Sequence, residues 1–207
     1  MPDGPRQSLR CPPTPERHQS QRKRSETGHR KRDKRFLDDV TLVVSEGDTT
    51  QIDHIVVAPT GIFVVETKFY KGRIYGKESD KQWTQKIFKN TYKFQNPFRQ
   101  NYKHVKAIEA LLPNIGLANI HSVVVMLGEC EWASKDRPAA LFTSGWKAAD
   151  YINDMIASGQ KVLDVEEASA RLQSLRLNVS RKAGRGGRTI AEAVNRHSAP
   201  DFPFFAA

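Results

Sequence analysis

The chain has 207 residues, 38% hydrophobic and 27% charged, enough for one hydrophobic core and too few for two well-packed domains. Its longest apolar runs, such as Val123 to Leu127, hold five residues against the ~20 of a membrane helix, and no apolar stretch follows the N-terminal arginines, so a cytoplasmic protein with no membrane segment is expected. Two distant cysteines, Cys11 and Cys130, supply neither a disulfide framework nor a four-ligand zinc cluster, which leaves any metal chemistry to oxygen ligands.

The net charge of +10 is unevenly spread. Residues 1–35 hold eleven Lys or Arg against four acids, with proline and glycine early and almost no apolar periodicity, which reads as a disordered basic arm. The folded body is expected from Phe36 to Ser180, where seventeen bases balance seventeen acids. Val40 to Val44 predicts a short strand, Gly47-Asp48 a turn, Gln51 to Ala58 a second strand, Pro59-Thr60-Gly61 a turn, and Ile62 to Phe69 a third strand. Arg73 to Lys77 and roughly Trp83 to Phe94 read as two more strands.

Residues 66–106 carry eleven bases and three acids, interleaved with Phe69, Tyr70, Tyr75, Trp83, Phe88, Tyr92, Phe94, Phe98 and Tyr102. Basic side chains neutralise phosphates and aromatic faces stack on unpaired bases, so the mixture suits nucleic acid, although several of these rings must belong to the core. Lys71, Arg73, Arg99 and Lys103 are the candidate phosphate contacts.

Asn96-Pro97 predicts a helix start, with Asn96 as N-cap and Pro97 in the first turn. Tyr102, Val105, Ile108, Ala110, Leu111 and Leu112 carry the helical period to Pro113. A buried strand at Ser122 to Leu127, a short one at Ala139 to Thr143, and helices near Lys147–Ala157 and Glu166–Leu175 follow, the last with Asp164 and Glu167 spaced as a capping box. Residues 181–207 read as a basic, flexible tail. Strands first, then one long helix, then strand–helix alternation give an α/β fold, a mixed sheet flanked by helices.

The chemistry sits in Gln51-Ile52-Asp53-His54 and Val65-Glu66-Thr67-Lys68. Strand alternation puts Glu66 and Lys68 on one face, at the end of an apolar run where charge is expensive. A two-residue loop at Pro59-Thr60 sets Asp53 opposite Glu66; a three-residue loop with Gly61 in a bulge sets it opposite Thr67 and demands a further bulge near Asp53. If the carboxylates converge, they suit Mg²⁺, with Lys68 beside the reacting phosphate. The plainer reading is a neighbour pair on an exposed strand end.

Asp, twelve residues, then Glu-x-Lys after an apolar strand resembles the PD-(D/E)xK nuclease signature. The string QIDHIVVAPTGIFVVETKFYKGRIYG, then Trp83-Thr84-Gln85 and Asn96-Pro97-Phe98-Arg99-Gln100-Asn101, closely resembles the NERD (nuclease-related) domain, from about Val40 to Leu112 and more loosely to Ile156. The resemblance implies a restriction-endonuclease-like core with Asp53 and Glu66 as metal ligands, the Thr67 backbone carbonyl as a third oxygen, Lys68 as the catalytic lysine, and Mg²⁺ or Mn²⁺ as cofactor. Gln85 and Gln100 match polar positions of the pattern, and His104, four after Gln100, shares its helix face and could line the same cleft. His54 and Trp83 are expected to be structural.

Two features depart from the pattern. Such nucleases usually carry an acid on a helix ahead of the first strand, where this chain has its basic arm, and Glu26, Asp38 and Asp39 substitute poorly. A zinc ribbon, frequent in relatives, is not expected here. The expected function is metal-dependent hydrolysis of DNA; the alternative is a nuclease-fold module that binds nucleic acid without cutting, and a weaker third reading places the function in the tails.

Overall fold

The computed structural model describes residues 34–177. The expected tail at 181–207 and the arm at 1–35, apart from Lys34 and Arg35, lie outside the described residues. Those two belong to the fold: Lys34 donates to Asn153 (2.8 Å) and Arg35 pairs with Glu166.

Among the described residues nine strands form two sheets, accompanied by three α-helices. The first five strands are β1 (Arg35–Ser45), β2 (Asp48–Ala58), β3 (Gly61–Phe69), β4 (Gly72–Tyr75) and β5 (Gln82–Ile87). Then come β6 (Asn90–Gln95), α1 (Pro97–Leu111), β7 (Ile120–Leu127), β8 (Cys130–Trp132), β9 (Leu141–Phe142), α2 (Gly145–Ser158) and α3 (Val165–Ser174). The larger sheet has the order β1-β2-β3-β7-β9 and the smaller β6-β5-β4-β8. In the larger sheet the first three strands form an antiparallel meander, while β3–β7 and β7–β9 run parallel. The sequence pointed to one mixed sheet; the body divides into two because β4, β5 and β6 leave the meander and pair among themselves.

The central strands are apolar because both faces of the larger sheet are covered. On one face, Leu37, Val40, Leu42, Ile52, Ile55, Val57, Ile62 and Val64 pack against Val105 and Ile108 of α1 and Val165, Ala168 and Leu172 of α3. On the other, Val56, Phe63, Val65, Val123 and Val125 meet Ala148, Ala149 and Ile152 of α2. A third cluster joins Val124 and Met126 of β7 to Ile74, Trp83 and Phe98, tying the smaller sheet to the larger.

Local signals explain most boundaries. Asn96 caps α1 by accepting from the Phe98 N–H (2.9 Å), with Pro97 in the first turn, and Asp164 caps α3 by accepting from the N–H groups of Glu166 and Glu167. The single strand expected over Trp83 to Phe94 is a hairpin, its two-residue turn made by Phe88 and Lys89 between the paired Ile87 and Asn90. No glycine marks that turn: Phe88 itself takes a φ of 50°. Strand β8 was not expected; its three residues become a strand only by pairing with β4. None of the helices among the described residues is long and apolar enough to cross a membrane.

Candidate nuclease site

The site begins at a flaw in the sheet. The β2–β3 ladder has the register of a two-residue Pro59-Thr60 turn, with Ala58 opposite Gly61, and it ends at His54 opposite Val65. Asp53 therefore faces Glu66 in register but pairs with nothing across that gap. On its other side, Asp38 pairs with His54 and Val40 with Ile52, leaving Asp39 and Asp53 between them unpaired. Leu37 and Val40 face the same core, as do Ile52 and Ile55. A spacing of three, where strict alternation allows two or four, marks a local irregularity in both strands at this step, although the register is the same on either side of it. Asp39 absorbs part of the distortion at a φ of 51°.

Asp53 compensates with its side chain. Its Oδ2 accepts the Thr67 N–H and the Thr67 hydroxyl, each at 2.8 Å, which satisfies a strand N–H that β2 no longer serves. The sequence left two alternatives, Asp53 opposite Glu66 or opposite Thr67; the structure combines them, a two-residue loop with an Asp53–Thr67 contact. Both bonds fall on Oδ2, so the other oxygen is not used in them.

Glu66 is 1% exposed and spans two cations or donors. Lys68 Nζ lies 2.6 Å from Oε1, and His104 Nε2 lies 3.2 Å from Oε2. His104 in turn meets the Thr50 hydroxyl at 2.6 Å through Nδ1. Because a carboxylate only accepts, Nε2 is the protonated nitrogen toward Glu66. Lys68 of β3 and His104 of α1 thus hold one buried carboxylate, with Thr50 of β2 behind the histidine, as an ion in a dry setting requires. Lys68, with 23% of its side chain exposed, is the member of this chain that reaches solvent.

Tyr70, two residues beyond Lys68 on the same strand direction, stands within electrostatic reach. Burial pushes its phenol above the usual tyrosine value, Lys68 opposes the rise and Glu66 reinforces it. The group keeps its proton at neutral pH. Its ring rests on Phe94, 4.4 Å between centroids.

The other sequence candidates separate. His104 joins Glu66, but Gln100 is only half-buried and does not share that contact. Gln85 lies in the smaller sheet and donates to the Lys71 carbonyl (2.9 Å), bracing the chain as it leaves β3. Among the candidate phosphate contacts, Lys103 is engaged by Asp48 at 2.8 Å and Arg73 stands 3.5 Å from Glu131, while Lys71 and Arg99 are exposed. His54 bonds Asp38 at 2.8 Å, which is a structural role for both. Asp39 offers only its backbone carbonyl, to Arg176; Glu26 lies outside the described residues. Trp83 is fully buried among Phe94, Phe98 and Trp132.

Two residues escaped the sequence reading. Thr50 is an ordinary β-branched strand residue until the fold sets it against His104. Asn101 is fully buried, with its amide donating to the Val64 carbonyl (2.8 Å) and the Ser122 hydroxyl (2.9 Å), so it clamps α1 onto β3 and β7. The signal was present: Asn101 precedes Val105 by four and Ile108 by seven, on the buried face, whereas the periodicity was traced through the exposed Tyr102.

Asp53 and Glu66 are the carboxylates here that could hold a hard divalent cation of the Mg²⁺ type, which takes one or two carboxylates together with waters and substrate phosphate. An all-protein cage is not offered, since among the described residues no group of three or more His, Cys, Asp or Glu could hold a metal.

The family model of the nuclease-related domain (NERD) matches residues 17–127. The match covers β1 to β7, including Asp53, Glu66, Lys68 and His104, and reaches back into the segment read as a basic arm. An uncharacterized protein of Bacillus anthracis, pXO1-01, is 41% identical over 150 residues, which cover 70% of each chain. No solved structure matches the chain.

Proposed function

The chain belongs to the nuclease-related domain family of the PD-(D/E)xK superfamily, and from that membership we propose that it is a divalent-metal-dependent phosphodiesterase that hydrolyses DNA backbone bonds. The observation carrying the proposal is Glu66, a carboxylate 1% exposed directly after the apolar run Ile62 to Val65 of β3, held by Lys68 and His104. A fold seeking only stability would place an apolar residue there.

Each side chain has a separable task. Lys68, two residues from Glu66, presents its ammonium to a phosphodiester laid over the strand end; it orients the attacking water and stabilises the charge that develops on the phosphoryl oxygens. His104, backed by Thr50, fixes the far oxygen of Glu66 so that the carboxylate cannot rotate away. Thr67 fixes Asp53 in the same manner through its N–H and hydroxyl, and its backbone carbonyl is the third oxygen donor. Asp53, Glu66 and that carbonyl would hold a divalent cation, which would polarise the phosphoryl group as a Lewis acid and lower the pKa of a water.

Purified protein incubated with linear and supercoiled plasmid in Mg²⁺ or Mn²⁺ tests the assignment. Cleavage is expected, and it should vanish with EDTA and in Glu66→Gln and Lys68→Ala proteins. Cleavage that persists in both variants would remove the site from this strand. Glu66→Gln should melt lower than the parent, because removing one partner of a buried pair leaves Lys68 without its counter-charge, so the fold of each variant is checked by circular dichroism before its activity is read.

One observation favours the non-cutting alternative. Both Glu66 oxygens and one Asp53 oxygen already have protein partners, an arrangement that also suits an inert module. That reading expects salt-sensitive DNA retention, indifferent to chelator, with no cleavage.

A further inference from the structure

We propose that the tip and outer face of the smaller sheet bind single-stranded nucleic acid, with Phe88 as a platform for an unpaired base and Arg73, Lys86, Lys89 and Lys93 tracking the phosphates. The inference deepens the nuclease reading and rests on it for the substrate class.

Phe88 is the wrong residue for a turn and the wrong residue for a surface, by two independent measures. It is the first residue of a two-residue hairpin turn and holds a φ of 50°, a backbone state that glycine or asparagine adopts readily and a bulky residue does not. Its ring is also fully exposed, so no packing offsets the backbone cost. Residues kept in disfavoured conformations cluster at ligand-binding sites.

The sheet behind the tip has one buried and one basic face. Ile74 and Trp83 point into the core. On the opposite face Arg73 stands across from Lys86, Tyr75 across from Thr84, and Thr84 across from Lys93. Lys86 Nζ lies 5.3 Å from the centre of the Tyr75 ring, and Lys93 donates to the Thr84 hydroxyl at 2.6 Å. Across the four strands of this sheet the one acidic residue is Glu131, on β8, which meets Arg73. Phosphates find three lysines and an arginine, and a base finds the Phe88 face.

The tip is anchored to the proposed catalytic strand. Gln85 donates to the Lys71 carbonyl, and Gly72 lies so close to the hairpin that a Cβ there would sit 2.3 Å from the Lys86 carbonyl oxygen. Gly72 lies four positions beyond Lys68, a span of at most ~14 Å, or about four nucleotides at ~3.4 Å each. A strand with one phosphate at Lys68 therefore reaches the hairpin within a few nucleotides. In a duplex the base faces are covered by their neighbours, so a lone exposed ring selects unpaired bases, and stacking of this kind tolerates any sequence.

The test measures binding alone, in EDTA, so that it stands whether or not the protein cuts. Full-length parent, Phe88→Asn and Phe88→Trp proteins are titrated into fluorescein-labelled single-stranded and duplex oligonucleotides of equal length at ~150 mM salt, where surface attraction is screened beyond ~8 Å. Asn suits the turn, so a loss cannot come from a misfolded hairpin. Phe88→Asn should weaken single-strand binding about ten- to hundred-fold and leave duplex binding within twofold, while Phe88→Trp binds as the parent and its added fluorescence is quenched. Unchanged single-strand binding in Phe88→Asn would overturn the proposal, as would Phe88-dependent sedimentation with phosphatidylserine vesicles and no effect on oligonucleotides.

Discussion

The two sheets are built from the same kind of strand and spend their residues differently. In the larger sheet β2 and β3 are covered on both faces, and from Ile62 to Val65 every side chain is at most 1% exposed; Glu66, which follows them, is held by Lys68 and by His104 of α1. In the smaller sheet one face buries Ile74 and Trp83 and the other carries Arg73, Lys86 and Lys93 to solvent. A dry setting strengthens a charge interaction and penalises any unpaired ion, so the larger sheet suits a fixed catalytic constellation. A wet basic face gives weak, additive, salt-sensitive contacts, which suits tracking of a polymer whose sequence does not matter.

That contrast can be broken by substitution, and the core gives the largest effect. Ile55→Ala removes a fully buried side chain from the larger sheet and should cost about 2–5 kcal/mol, read as a shift of the urea midpoint. Lys93→Ala on the basic face should stay within about 0.5 kcal/mol. Similar losses for both would mean the two sheets are not distinguished by packing.

A smaller effect sharpens the description of the second sheet. A Cβ on Gly76 would stand 2.2 Å from Cδ1 of the Trp83 ring, an overlap that only a shift of backbone or indole relieves. Gly76→Ala should therefore cost about 1–3 kcal/mol, with a change in tryptophan fluorescence. An unchanged melting profile would show that this sheet is loosely packed on its inner face as well.

The smallest effect concerns pH. Burial lowers the pKa of His121 below the usual histidine value, and its ring lies 4.9 Å from that of Phe63 on the larger sheet. The folded state resists protonation more than the unfolded state does. The contribution to stability is therefore fully present above the unfolded value of ~6.5 and is lost as pH falls through the folded one. Between pH 7.5 and 5.5 the urea midpoint of His121→Asn should fall less than that of the parent. Equal slopes would assign the ring to solvent.

Much of the site was legible because it lies within one hairpin. Val-Val-Glu-Thr-Lys after a Pro-Thr turn fixes strand, turn and face by period-two alternation, so Glu66 and Lys68 could be paired on the page. The helix start at Asn96-Pro97 and the cap at Asp164 were legible for the same reason: capping uses groups two or three residues apart. His104 was recognisable as a cleft residue only through the resemblance and its helical spacing, and nothing in the sequence told which carboxylate it would meet.

Sequence by itself determined the local frame of this protein: the meander, the capped helix, the apolar strand ending in two charges, and the basic segment after it. Tertiary structure decided whatever depends on register between distant segments. It placed Thr50 behind His104 across 54 residues and Asn101 onto the Val64 carbonyl across 37. It left the unpaired step at Asp39 and Asp53 where the Asp53 carboxylate turns to Thr67, made a hairpin of 82–95, and split one expected sheet into two. The physical reason is that an irregular step in a strand costs little locally, while it reverses which face every earlier side chain presents; only the competition among packed neighbours selects where it goes.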